Sequence, residues 1–115
     1  MSGIQDFYRG DTQRYKLTLK DASTGNPIDI TGATIWFTMK PEITYDDTNA
    51  VIQKQVINHI DAPNGVTEVV LESAYTRNLE LGTYYYDFQY VSKYGDVKTI
   101  LMGKVKVLGD VTISE

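Results

Sequence analysis

Residues that could support acid–base, metal or nucleophilic chemistry are few in this sequence. His59 is the single histidine, and there is no cysteine. His59 stands between Asn58 and Ile60, and without a second histidine or a cysteine it makes a poor metal site or catalytic base. We therefore expect His59 to be a solvated residue at a loop edge, with no catalytic triad around it.

The oxygen-rich run Asp46-Asp47-Thr48-Asn49 is the other candidate set of ligands, because calcium prefers carboxylate and amide oxygens. Its spacing departs from the EF-hand loop and lacks the glycine and terminal glutamate of that motif. The remaining carboxylates show no spacing that would place two across a glycosidic bond. The preferred interpretation is a solvated acidic loop in a protein that is not an enzyme and holds no metal or cofactor.

Charge and length narrow the class of protein further. The 115 residues carry 11 lysines and arginines against 15 aspartates and glutamates, a formal net charge of −4. A mildly acidic chain without a basic stripe argues against nucleic acid as a partner, because phosphate binding uses clustered lysine and arginine. With no signal-peptide pattern and no apolar run of membrane-spanning length, we expect no membrane contact. We expect one domain over 1–115, with 1–6 and 110–115 as extended tails.

Alternation of apolar and polar residues with a period of two predicts strands along nearly the whole chain. In Thr83–Val91, the residues Tyr84, Tyr86 and Phe88 share one face. The same rule predicts strands at Tyr15–Lys20, Thr34–Lys40, Ala50–Ile57, Val66–Leu71 and Val97–Val107, with edge pieces at Ile4–Tyr8 and Val111–Ile113. Only Ser73–Leu79 suggests a helix, of about one turn. The pattern predicts an all-β, Ig-like antiparallel β-sandwich of about seven strands.

The segment Leu79-Glu-Leu-Gly-Thr-Tyr84 precedes the strongest predicted strand. Its leucine, glycine and tyrosine are spaced as in the corner that leads into the penultimate strand of Ig-like sandwiches, where the tyrosine hydroxyl bonds back to the backbone. The alternative is that Gly82 ends a turn and Tyr84 simply packs in the core. Both interpretations place Tyr84 inside.

The last predicted strand indicates a surface for protein binding. If its core residues are Val97, Thr99, Leu101, Val105 and Val107, then Ile100 and Met102 point outward between lysines. Tyr85 lies on the outer face of the preceding strand, so Tyr85, Ile100 and Met102 form a small apolar patch suited to protein contact. The alternative is that another part of the chain covers Ile100 and Met102. Phe7 and Tyr8, in the N-terminal segment, are the other predicted contact residues.

Several stretches also resemble one class of virion protein. They are Phe7–Thr12, Leu17–Asp21, Gly25–Lys40, Leu79–Gln89, Gly95–Thr99 and Gly103–Val107. These stretches are similar to small Ig-like domains of tailed-bacteriophage virions, in particular the N-terminal domain of the baseplate upper protein family. The resemblance extends from about Phe7 to Thr112, and its motifs are turns and strands of a sandwich, without catalytic residues.

The resemblance implies a non-enzymatic structural protein of a tailed phage or prophage, made in the host cytoplasm and located in the virion. Its partners would be tail, baseplate, connector or capsid proteins, with a homo-oligomer as one form of assembly. In the baseplate family a helical stalk follows this domain, whereas this sequence stops at Glu115. We therefore expect a tail or baseplate adaptor or connector, with a capsid decoration subunit as one alternative. A carbohydrate-binding module that stacks sugars on exposed tyrosines is the alternative from another class.

Overall fold

The computed structural model describes residues 4–41 and 50–109, which form two packed β-sheets. The strands are β1 (Phe7–Tyr8), β2 (Gln13–Thr18), β3 (Thr34–Lys40), β4 (Ile52–Val56), β5 (Val66–Leu71), β6 (Gly82–Val91) and β7 (Val97–Leu108). A 3₁₀ turn at Ala62–Asn64 precedes β5, and the one-turn helix α1 (Ser73–Thr76) follows it. The predicted all-β sandwich of about seven strands is confirmed. The predicted loop at 42–49 and edge piece at Val111–Ile113 lie outside the described residues.

The two sheets differ in size. The larger sheet has five strands in the order β1-β7-β6-β3-β4, and the smaller sheet pairs β2 with β5. Every pair is antiparallel except β1 and β7, which run parallel through Phe7 with Val107 and Tyr8 with Leu108. The prediction of a fully antiparallel sandwich is therefore corrected at this edge. The chain leaves β1 through a turn and continues as β2 in the other sheet, so β1 is not half of a hairpin.

Aromatic side chains fill the space between the sheets. Phe37 on β3 and Phe88 on β6 are fully buried, with ring centroids 4.9 Å apart. The ring of Tyr15 on β2 lies 5.9 Å from that of Phe37 and 5.8 Å from that of Phe88, which joins the smaller sheet to the larger one. The period-two assignment of inner faces is therefore confirmed for β3 and β6, where Ile35, Phe37, Met39, Tyr84, Tyr86 and Phe88 are all buried.

A β-bulge changes the phase of β7. The register between β6 and β7 shifts between Phe88 and Gln89, which leaves Ile100 as an extra residue on β7. One inserted residue moves all side chains beyond it to the opposite face. Val97 and Thr99, predicted to be core residues, are consequently exposed, Val97 to 62%.

The segment before β6 forms the corner in which the tyrosine hydroxyl bonds back to the backbone, as the first of the two interpretations predicted. The Tyr84 hydroxyl donates to the Glu80 carbonyl oxygen at 2.6 Å, while the Tyr84 ring is buried. This bond closes the segment from Glu80 to Tyr84, which leads the chain from α1 into the centre of the larger sheet. The corner is therefore a structural device that holds β6 in position.

Replacing Tyr84 with phenylalanine is expected to lower the free energy of unfolding by about 1 to 2 kcal/mol, because the Glu80 carbonyl loses its donor and the ring stays in place. Urea denaturation at neutral pH measures the change. Tyr85→Phe is the matched control, since Tyr85 is a neighbouring tyrosine on the opposite face of β6. Equal stabilities for the two variants would show that the corner bond contributes nothing.

Tyr15 has a buried hydroxyl without a hydrogen-bond partner among the described residues. Burial raises the pKa of this phenol above its ordinary value, and the nearby Tyr86 raises it further. Because the folded-state pKa is the higher one, stability is complete below the ordinary tyrosine pKa of about 10 and decreases as the pH rises above it. Burial also raises the pKa of Tyr84, so this residue contributes in the same direction.

We expect Tyr15→Phe to be at least as stable as the natural protein at neutral pH and to lose less stability above about pH 10. The measurement is urea denaturation at several pH values between about 7 and 11. Tyr94→Phe is the control, because Tyr94 is 82% exposed. An alkaline loss of stability identical in Tyr15→Phe and the natural protein would contradict the assignment.

Candidate functional site

His59 has a structural role, and the prediction that it is solvated is wrong. Its Nδ1 lies 2.8 Å from Thr67 Oγ1, and its Nε2 lies 2.8 Å from the Ala33 carbonyl oxygen. A carbonyl can only accept, so Nε2 carries a hydrogen and donates to it; in the neutral imidazole, Nδ1 then accepts from the Thr67 hydroxyl. The imidazole thus joins the residue before β3 to β5, which ties one sheet to the other. The sequence does not reveal this role, because the partners lie eight and twenty-six residues away and meet His59 only in the assembled sandwich.

The described residues hold no cluster of three or more histidine, cysteine, aspartate or glutamate side chains that could bind a metal ion. The candidate calcium loop, Asp46–Asn49, lies outside the described residues. None of the helices in 4–41 and 50–109 is long and apolar enough to span a membrane. The exposed surfaces of the sheets are the remaining candidates for a functional site.

The outer face of the five-stranded sheet carries the candidate binding surface. In the described part of the chain both other strands lie against its inner face, so no described strand covers the outer one. Tyr85 and Met102 both lie on this outer face: Tyr85 pairs with Lys104, and Met102 pairs with Asp87, two positions further along β6. Diagonal neighbours in an antiparallel pair are within reach of long side chains. The structure therefore brings Tyr85 and Met102 together as predicted.

Trp36 is a further member of this surface that was not among the predicted contact residues. It is half-buried on the outer face of β3, where it pairs with Gln89 of β6 and Gln55 of β4. The sequence could have indicated this position, because Trp36 lies between Ile35 and Phe37, which face the core, and so must face outward. We use the name outer patch for Trp36, Tyr85 and Met102. Met102 is its most exposed member, at 65%.

The other predicted contact residues lie elsewhere. Ile100 is the bulge residue and packs, half-buried, against the core, so its predicted place in the exposed patch is corrected. Phe7 is only 3% exposed, because its pairing with Val107 turns its side chain into the core; its assignment as a contact residue is corrected.

Tyr8 points away from the core and is 53% exposed. It pairs with Leu108, six positions beyond Met102 on β7, which corresponds to roughly 20 Å along the strand. The structure therefore places Tyr8 at the end of the outer face, apart from the outer patch.

Positive charge surrounds the tyrosine of the outer patch. Tyr85 pairs with Lys104 on β7 and with Lys40 on β3, so a lysine stands on either side of it. The Lys104 Nζ lies 5.6 Å from the centroid of the Tyr85 ring, within the range of a cation–π contact. Asp87, between Met102 and Thr38, is the acidic group in the middle of this region. The surface therefore combines aromatic and thioether groups with a basic rim at one end.

Comparison with known proteins gives no family for this chain. No protein-family model matches it, and no curated protein matches it at a significant level.

Proposed function

We propose that this protein is a non-enzymatic structural component of a tailed phage or prophage virion, acting as a tail or baseplate adaptor or connector. It binds other virion proteins through the outer face of its five-stranded sheet. The assignment to a virion comes from the resemblance of the sequence to phage Ig-like domains. The assignment of the contact surface comes from the geometry of the sheet.

The observation that carries this proposal is the position of Met102. A methionine that is 65% exposed beside an aromatic side chain, on a sheet face that no described strand covers, is a typical feature of protein contact surfaces. Interfaces are enriched in tryptophan, tyrosine and methionine, and these are the three residue types of the outer patch. Lys40 and Lys104 favour a partner surface with acidic residues at its rim.

Mass spectrometry of purified particles tests the role in the virion. Particles are prepared from the phage or induced prophage whose genome encodes this chain, and the chain is quantified against the major tail protein. We expect a fixed number of copies per particle that survives density-gradient purification and a wash in about 1 M salt, which screens non-specific charge contacts. Absence of the chain from purified particles would contradict the proposal.

A further inference from the structure

One edge of the sandwich is closed and the other is open. At the closed edge, the Lys54 ammonium on β4 lies 3.5 Å from the Glu72 carboxylate after β5 and 4.9 Å from the centroid of the Tyr75 ring. These contacts join the two sheets. At the opposite edge, β2 pairs with β5 on one side and has no strand partner among the described residues on the other.

The backbone of β2 presents hydrogen-bonding groups at this open edge. Its register with β5 is unbroken from Gln13 to Thr18, and at the next position the Leu19 N–H donates to the Gly65 carbonyl at 2.9 Å. Bonding direction alternates along an antiparallel strand, so the odd-numbered residues of β2 bond toward β5. The N–H and C=O groups of Arg14 and Lys16 therefore point away from β5, toward the free edge.

A cleft of about 500 Å³ adjoins this edge, between β2 and the N-terminal segment. Apolar side chains form part of its lining: Ile4 from the N-terminal segment, Leu17 from β2, and Phe88 and Leu101 from the larger sheet. The charged residues of the lining are Asp6, Asp11, Arg14 and Lys16. Tyr15 also lines it, and the Tyr15 hydroxyl is the buried group without a partner in the described part of the chain. Leu17 and Phe88 are buried, so Ile4 and Leu101 supply the accessible apolar part of the cleft. The cleft thus lies beside backbone groups of β2 that have no strand partner among the described residues, which is the arrangement that accepts an added strand.

The charges at the edge indicate what kind of strand fits. Arg14 and Lys16 both point outward from β2; Arg14 contacts Glu68 at 3.4 Å with 64% of its side chain exposed, and Lys16 forms no ion pair with a described residue. If two copies of β2 paired antiparallel through this edge, Arg14 would face Lys16, or Lys16 would face itself. Like charges directly opposite each other destabilise a strand pair, so a second copy is disfavoured and a strand with acidic residues beside Arg14 and Lys16 is favoured. Asp6 and Asp11 line the cleft, so the side chains that enter it should be apolar rather than acidic.

We propose that the free edge of β2 pairs with an extended segment of a partner protein, whose acidic residues flank Arg14 and Lys16 and whose alternate apolar residues enter the cleft. The inference rests on the proposed function as a binding domain and adds a second contact surface to the outer patch. The two surfaces lie on different sheets, so one sandwich joins two partners. This is the geometry that an adaptor between virion proteins requires.

The test uses the purified protein and a fluorescent, end-capped heptapeptide of sequence TVEVEVT, in which valines alternate with glutamates. Binding is followed by fluorescence anisotropy, with TVKVKVT as the charge-reversed probe. Lys16→Pro removes an edge-facing N–H while leaving the bonds between β2 and β5 intact, since proline is tolerated where a strand's N–H faces solvent. Lys16→Thr is the matched control, which removes the charge and keeps the N–H.

We expect TVEVEVT to bind, TVKVKVT to bind at least about tenfold more weakly, and Lys16→Pro to weaken binding of TVEVEVT by about tenfold or more. Lys16→Thr should weaken it only about two- to fivefold. Independently, hydrogen exchange of the natural protein should slow at the Arg14 and Lys16 amides when the peptide is added, a readout that holds even if Lys16→Pro fails to fold.

Three results would overturn the inference: no binding of TVEVEVT, unchanged exchange at the two amides in the complex, or a dimer of the free protein that Lys16→Pro dissociates. Each of these leaves the role of the outer patch intact, because Trp36, Tyr85 and Met102 lie on the other sheet. Absence of the protein from virions together with peptide binding would instead reject the virion role and keep the edge as a binding site.

Discussion

Replacing Gly65 with alanine is expected to lower the free energy of unfolding by about 3 kcal/mol or more. Gly65 ends the 3₁₀ turn before β5 with φ at +73°, where an L-residue costs about 1 to 2 kcal/mol. A Cβ at this position would lie 2.5 Å from the Leu19 carbonyl oxygen and 2.7 Å from that of Ile28. Both are backbone atoms, so the backbone at Leu19, just after β2, and at Ile28 must move. This movement costs about 1 to 3 kcal/mol more.

Gly25→Ala is the matched control for this prediction. Gly25 has nearly the same φ, +75°, but no atom lies within 4 Å of the position that its Cβ would occupy. Replacing Gly25 with alanine should lower the free energy of unfolding only by the cost of placing an L-residue at positive φ, about 1 to 2 kcal/mol. Thermal and urea denaturation give the comparison, and we expect the melting temperature of Gly65→Ala to fall by at least about 10 °C. Equal losses in the two variants would show that the contact of Gly65 with Leu19 and Ile28 is not close.

Replacing Met102 with lysine is expected to weaken attachment to particles by about tenfold or more while leaving stability within about 0.5 kcal/mol. The exposed thioether is exchanged for a positive charge two positions from Lys104 on β7, and a charge at the centre of an interface must be stripped of water. Particles assembled without the chain are mixed with the purified variant and sedimented, and the bound fraction gives the affinity. A loss of about 2 kcal/mol corresponds to roughly thirtyfold.

Tyr94→Lys provides the control for this measurement. Tyr94 lies in the turn between β6 and β7 and is 82% exposed, so the same replacement of an exposed large side chain by lysine occurs away from the outer patch. We expect it to bind like the natural protein. If Met102→Lys also binds normally, the outer patch is not the contact surface.

The sequence was sufficient to predict the strands whose inner residues alternate without interruption. Thr34–Lys40 and Val66–Leu71 are confirmed residue for residue, because turn-forming residues bound both strands and one face of each is buried. The corner tyrosine, Tyr84, is confirmed in the same way, since its partner Glu80 is only four residues away. Features of this kind can be predicted because they depend only on residues a few positions apart in the sequence.

Features that depend on distant residues could not be predicted. The bulge at Ile100 is a property of how β7 pairs with β6, and it reverses the faces predicted for Val97 and Thr99. Phe7 is buried because β1 pairs in parallel with the far end of β7, 100 residues later in the chain, a contact with no local signature. His59 finds its partners only once both sheets are assembled.

The residues of the candidate site also differ in how far the sequence could predict them. Tyr85 and Met102 were predictable because they lie C-terminal to the bulge or on the uninterrupted strand β6, where the period of two holds. Trp36 was equally accessible from its alternation with Ile35 and Phe37. The open edge of β2 could not be found in the sequence, because it follows from the unequal sizes of the two sheets.

Site-specific photo-crosslinking in assembled particles tests the outer patch most directly. Benzoylphenylalanine is placed at Met102 in one variant and at Tyr94 in another, each variant is incorporated into particles, and the particles are irradiated. We predict a covalent adduct between the chain and a second virion protein from position 102, and no adduct from position 94. Adducts from position 94 alone, or none from position 102 in particles that contain the variant, would contradict the assignment of the outer face as the contact surface.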